Sequence, residues 1–214
     1  MKNEIKYVFF DVAGTLLHKP TFYEIILTLL NQNGHQITMF DLKLKHKIAS
    51  EIIQFPDRTN RDFYQDFNEK LLYSLGIIPT EKLLEEIFDK CSYLPWEKFE
   101  DTKMLSEINI PIGIISNFNS TLKEKINGFF GPVFRDVFVS EELEVSKPNI
   151  EFYKCAIEKV NLFPENILYI GDSLRLDIKP AKHLGIKTLL IDRDNFYPNS
   201  EYAIQNLDQI LKHL

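Results

Sequence analysis

Four short tracts hold the residues whose types and spacing could do chemistry. Asp11 ends an apolar run and opens the segment Asp11-Val12-Ala13-Gly14-Thr15-Leu16. A carboxylate at the end of a strand suits a nucleophile or a metal ligand. Gly14 permits a tight turn and Thr15 can fix that turn by hydrogen bonding. A plain strand-to-turn aspartate would look the same. Ser116-Asn117 follows a second apolar run. Its hydroxyl and backbone amides could hold an oxyanion, with Asn119 or Ser120 capping the next helix.

Ser146-Lys147-Pro148 sets an ammonium where a helix is expected to begin, with Pro148 near the first turn. The helix dipole there favours an anion, so the lysine implies an anion nearby. An exposed loop lysine is the bland alternative. Gly171-Asp172-Ser173 and then Asp177 bring two more carboxylates to the same sheet edge as Asp11. Asp177 reads equally well as a helix-capping acid or as part of a metal site. Crowded carboxylates raise one another's pKa unless something positive lies between them. A hard divalent cation with oxygen ligands answers that need, and Mg2+ is the first candidate.

These tracts need a scaffold that brings strand ends together. Apolar runs of three to six residues occur at 5–10, 112–115, 137–139, 167–170 and 188–191. Near-continuous apolar strands suit a parallel sheet covered on both faces. Helical spacing lies between them, at Leu122/Ile126/Phe129, Tyr153/Ala156/Ile157/Val160 and Ile178/Ala181/Leu184. A last helix is expected over Leu207, Ile210, Leu211 and Leu214. The alternation predicts an α/β fold with a doubly wound parallel sheet, and ligands there bind beyond the carboxyl ends of the strands.

Residues 20–95 break the alternation with four amphipathic patterns and no clear strand. The first buries Phe22, Ile25, Ile26, Leu29 and Leu30, with Thr21 and Glu24 as a capping box and Gly34 past its end. The second places Leu44, Ile48 and Ile52 on its inner face. The third carries Phe63, Phe67, Leu71 and Leu75 before Gly76. The fourth follows Thr80 with Leu83, Leu84, Ile87, Phe88 and Cys91. The expected division is a core domain, 1–17 with 97–214, and a four-helix cap domain, 18–96.

Composition narrows the function classes. The formal net charge is −6 with acid and base interleaved, which argues against a nucleic-acid partner. An acidic chain that takes a phosphorylated ligand needs a local cation or a metal. Cys91 and Cys155 each lie on an apolar helical face, as core residues rather than a disulfide or metal pair. The apolar run at the start is cut short by Asp11, too short for a signal-peptide core or a membrane span. The expected location is cytoplasmic, with no membrane partner.

The set of tracts resembles the haloacid dehalogenase-like (HAD) superfamily, in the subgroup with a helical cap inserted after the first motif. Asp11 to Leu16 matches the first family motif, Ser116 the second and Lys147 the third. Gly171-Asp172 with Asp177 matches the fourth. Phe152, Ala181, Gly185 and Asp192 also fit. The resemblance implies a hydrolase of a small phosphorylated substrate. Asp11 would be the nucleophile that forms an aspartyl-phosphate, and Mg2+ would be held by Asp11, Asp172 and the carbonyl of Ala13. Ser116, Asn117 and Lys147 would bind phosphate oxygens, with Thr15 and Asp177 supporting them.

One position departs from the family. Its phosphatases usually carry a second aspartate two residues after the nucleophile, as a proton donor; here that residue is Ala13. General acid–base catalysis is typically worth ~10²–10⁴-fold. Substrates with good leaving groups, such as acyl phosphates, need it least. His18 is an alternative donor by its ordinary pKa, or an exposed loop histidine. Phosphonoacetaldehyde hydrolases also carry Asp-x-Ala-Gly-Thr and use a cap lysine, for which Lys43, Lys45 and Lys47 are available. A haloacid dehalogenase, or a binding protein on the same scaffold, completes the alternatives. Arg58, Arg61, Phe22 and Tyr23 are the cap residues that could set specificity.

Overall fold

The computed structural model describes residues 4–214. The chain separates into two compact units, one of residues 1–18 with 98–214 and one of residues 19–97. No helix among the described residues is long and apolar enough to cross a membrane.

The first unit is built on a six-stranded sheet. Its strands are β1 (Tyr7–Phe10), β2 (Ile112–Ser116), β3 (Asp136–Val139), β4 (Ile167–Gly171), β5 (Lys187–Ile191) and β6 (Ala203–Ile204). They lie in the order β3-β2-β1-β4-β5-β6, and every pairing is parallel. The α/β fold class expected from the apolar runs is therefore the fold of the protein. Every residue of β1, β2 and β4 is buried, as a sheet covered on both faces requires. Val8 of β1 is in register with Ile112 on one side and Leu168 on the other. That register carries Asp11, Ser116 and Asp172 off neighbouring strand ends at one edge. On one face, Tyr7, Phe9, Ile115 and Tyr169 pack against Phe152, Tyr153, Ala156 and Ala181. Burying each aromatic ring contributes about 2 kcal/mol.

The sixth strand was not expected, being only two residues long. The C-terminal segment also differs from the sequence reading. Leu207–His213 is a 3-10 helix, with Leu207 and Ile210 buried one turn apart and Leu211 and Leu214 37% and 41% exposed. Its three-residue turn aligns positions i and i+3, so a fourth-residue partner faces outward.

The second unit contains the four helices that the apolar spacing predicts: α1 (Phe22–Gln32), α2 (Met39–Ile52), α3 (Arg61–Ser74) and α4 (Glu81–Cys91). Thr38, Asn60 and Thr80 cap α2, α3 and α4 by accepting from backbone amides of Asp41, Phe63 and Leu83. The capping box expected at Thr21 does not form. Thr21 already has helical dihedrals, φ −86 and ψ −3, and makes no side-chain cap bond.

The inner face of α2 is also not the expected one. Leu42 and Ala49 are buried, whereas Ile48 and Ile52 are 40% and 73% exposed. The buried stripe passes through His46, whose ring is enclosed by Phe22, Tyr23 and Phe67 and bonds the Tyr23 hydroxyl at 3.1 Å. A histidine satisfied in this way hides the true face from a pattern of apolar letters.

Candidate active site

The site lies where β1, β2 and β4 end. The Asp11 amide still donates to the Ile170 carbonyl at 2.8 Å, so the nucleophile candidate is fixed by the sheet ladder itself. The chain then turns sharply, and the Val12 carbonyl accepts from the Leu16 and Leu17 amides at 2.8 and 2.9 Å. Gly14 makes the turn possible in two ways. Its φ is +83, and a Cβ built on it would lie 2.6 Å from Asp172 Oδ2. The glycine thus lets the first loop close on the carboxylate of the fourth.

Asp11 is 6% exposed and Lys147 only 2%. Lys147 Nζ donates to Asp11 Oδ1 at 2.6 Å and to Asp177 Oδ1 at 2.7 Å. Ser116 Oγ lies 3.4 Å from Asp11 Oδ1 and Thr15 Oγ1 lies 3.5 Å from Asp11 Oδ2. Asp177 has its second oxygen on the Ser173 amide at 3.0 Å. Gly171 admits it closely, since a Cβ there would fall 2.3 Å from Asp177 Cγ. Asp177 therefore orients the lysine and closes the turn that follows β4.

The two readings of Lys147 separate here. It is neither exposed nor part of the next helix. That helix, α5 (Ile150–Val160), is capped by Asn149, so Pro148 stands one residue before the cap rather than in the first turn. Asn117 does not aim its side chain at a ligand. Its Nδ2 donates to the Lys147 carbonyl at 2.9 Å and its Oδ1 accepts the Lys147 amide at 2.7 Å. Neither Asn119 nor Ser120 is the cap of the helix beginning at Leu122; Thr121 precedes it, with its own amide bonded to Asn119 Oδ1 at 3.1 Å.

Burial governs the charges. Desolvation pushes the Asp11 carboxyl from 3.8 up to about 7, Lys147 opposes this, and Asp177 and Asp172 add to it. Burial alone would lower Lys147, but Asp11 and Asp177 outweigh it and hold the ammonium charged. Asp11, Asp172 and Asp177 each offer an oxygen within 4.8 Å of the others. Three acids against one buried lysine leave an anionic cluster. An all-oxygen donor set of that charge fits a hard divalent cation. Asp177 has both oxygens engaged within the cluster, by Lys147 and by the Ser173 amide.

Ala13 is solvent-exposed and offers no proton donor. His18 stacks on Phe99 with ring centroids 4.0 Å apart. In the helical unit, Arg61 pairs with Asp89 at 3.0 Å on the surface and covers Phe88. Lys43 sits over the Tyr23 ring, and Lys47 pairs with Glu51 one turn on. Phe22 and Tyr23 belong to the aromatic cluster around His46.

Two contributors escaped the sequence reading. Tyr169, inside an apolar strand, sets its hydroxyl 3.3 Å from Lys147 Nζ and 2.9 Å from Asp177 Oδ1. Arg193 donates to the Gly14 and Thr15 carbonyls at 2.9 and 3.0 Å. The tyrosine read as one more buried aromatic. The arginine follows β5 in no recognisable motif.

Residues 5–185 match the family model of haloacid dehalogenase-like hydrolases, and the chain belongs to that family. The glyceraldehyde 3-phosphate phosphatase of Methanocaldococcus jannaschii is 28% identical, over 97% of this chain and 96% of that protein. The (S)-2-haloacid dehalogenase of Pseudomonas fluorescens is 23% identical, over 91% and 87%. The structure of the HAD-hydrolase YfnB from Bacillus subtilis, bound to magnesium, superposes with a TM-score of 0.66 at 22% identity, covering 99% of both chains.

Proposed function

We propose that this hydrolase is a Mg2+-dependent phosphatase of small phosphorylated metabolites, with Asp11 as nucleophile. The observation that carries the reading is the buried Lys147, bonded at once to Asp11 and Asp177, with Ser116 and Thr15 on the same Asp11 carboxylate. Buried ion pairs repay their desolvation poorly, so this cluster is better explained by chemistry than by stability. Asp11, Asp172 and the Ala13 carbonyl would hold Mg2+, which when bound supplies positive charge toward the transferring phosphoryl oxygens. Asp11 attacks phosphorus, an Oδ–P bond forms, and the ester oxygen departs with the bond electrons. Ser116, the Asn117 amide and Lys147 take the phosphoryl oxygens. Water then cleaves the aspartyl-phosphate and regenerates the carboxylate. Phosphoryl transfer is chiefly positioning and charge stabilisation, which this set of groups supplies.

Because Ala13 cannot protonate the departing oxygen, substrates with good leaving groups are favoured. The phosphatase relatives make glyceraldehyde 3-phosphate the first natural compound to try. Residues 18–96 would form the cap domain, with 1–17 and 97–214 as the core domain. We place the reaction in the cytoplasm, where free thiols such as Cys91 and Cys155 persist.

The test is phosphate release from acetyl phosphate, p-nitrophenyl phosphate and glyceraldehyde 3-phosphate, with and without Mg2+, in the protein and in Asp11→Asn. Turnover that needs both Mg2+ and Asp11 is expected. Halide release from a 2-haloacid without Mg2+ would replace this reading with that of the dehalogenase relative. Intact folding with no turnover would point to a binding protein.

A further inference from the structure

We propose that Arg193 is a positioning residue for the nucleophile loop, acting with Asp101 and Phe99 as a clamp on residues 14–15. The inference rests on the phosphatase reading of the Asp11 site. Arg193 Nη1 donates to the Gly14 carbonyl at 2.9 Å and Nη2 to the Thr15 carbonyl at 3.0 Å. The other edge of the guanidinium meets Asp101. Nε reaches Oδ2 at 3.1 Å, and Nη2 reaches Oδ1 and Oδ2 at 2.9 Å each. The flat face lies over Phe99, with Cζ 3.7 Å from the ring centroid. Asp101 is itself tied down by the Leu207 amide at 3.1 Å.

The two carbonyls are the consequential part. Gly14 abuts the Asp172 carboxylate, and Thr15 reaches the Asp11 carboxylate. A loop that shifts at these two residues moves the seat of Asp172 and one hydrogen bond to the nucleophile together. Arg193 touches none of the groups assigned to bind phosphate, so its effect passes through the backbone. Only a guanidinium meets the geometry. Its rigid planar fork presents donors to two carbonyls and a carboxylate while stacking on a ring, which the point charge of lysine cannot do. An ordinary surface ion pair would be worth little and would leave the loop unaffected.

The test compares wild type with Arg193→Ala and Arg193→Lys, the latter guarding against an alanine variant that fails to fold. Amide hydrogen exchange without metal is the readout independent of activity. Exchange over residues 12–17 is expected to rise by about tenfold, while β4 and β5 are unchanged. Kinetics with acetyl phosphate should show kcat down by about tenfold or more with KM nearly constant. Mg2+ calorimetry should show weaker binding, and added methylguanidine should partly restore kcat in Arg193→Ala but not in Arg193→Lys. A folded variant whose loop exchanges like wild type overturns the clamp, and so does a uniform rise across the sheet. If wild type has no phosphatase activity but the loop still loosens selectively, the clamp stands and the phosphatase reading fails.

Discussion

Asn117 and Lys147 hold each other through two reciprocal hydrogen bonds, side chain to backbone, at 2.9 and 2.7 Å. The pair joins the end of β2 to the loop that presents the lysine. The backbone amide is the part of Asn117 expected to meet phosphate, and its side chain holds the backbone of the lysine whose ammonium lies on Asp11.

Asn117→Ala should therefore act through Lys147. It leaves a part-buried amide and carbonyl unpaired, at a cost of about 1–3 kcal/mol. Misplacing the ammonium should lower kcat by about 10²-fold, with a smaller change in KM. Steady-state kinetics and thermal unfolding check both. An unchanged kcat would return Asn117 to the role of a simple turn residue.

Acidity of the site sets a pH and metal linkage. Asp11 is raised from 3.8 to about 7. A raised acid stabilises the fold while protonated, fully below 3.8, and this contribution is lost as pH rises through about 7. In chelator, the melting temperature should fall between about pH 5 and about pH 8 in part for this reason. Mg2+ binds the ionised form, so its stabilising shift should be larger at the higher pH. Equal shifts at both pH values, read by scanning fluorimetry, would contradict the assignment of Asp11 as a ligand.

Ala13→Asp should raise activity on alkyl phosphates while changing acyl phosphate turnover much less. The position is exposed, so a carboxylate there costs little desolvation. The full worth of such a group is ~10²–10⁴-fold, and a gain of even tenfold would identify the missing proton donor. No gain on alkyl phosphates would mean that a donor is already present or that the loop misdirects the new one.

Gly14→Ala should weaken Mg2+ binding. The left-handed conformation costs about 1–2 kcal/mol for a residue with a Cβ. The added carbon also lies 2.6 Å from Asp172 Oδ2, so the carboxylate must move. Calorimetry and thermal unfolding together separate the two effects, since backbone strain alone would lower stability and spare the metal affinity.

Five of the six strands were legible because each contains an apolar run, and the candidate site could be sought at their ends because Asp11, Ser116 and Asp172 stand at or just past strand ends. Other features were hidden for physical reasons. The inner face of α2 runs through His46 rather than the larger Ile48 and Ile52, and only its aromatic surroundings explain that choice. The Thr21 cap fails because its backbone is already helical. Tyr169 looks like core until its hydroxyl is seen beside Lys147. Arg193 works through main-chain carbonyls, which no side-chain pattern advertises.

The central place of β1 also bears on how the chain is born. Its two neighbours in the sheet, β2 and β4, begin about a hundred residues or more downstream, at Ile112 and Ile167. On a ribosome the first strand must wait, with both flanks open, until those distant partners emerge. Such long loop closures slow folding and leave sticky intermediates. A truncated product ending before Ile167 would carry Asp11 without the strand that aligns it, and should be recovered in inclusion bodies rather than as a soluble folded protein.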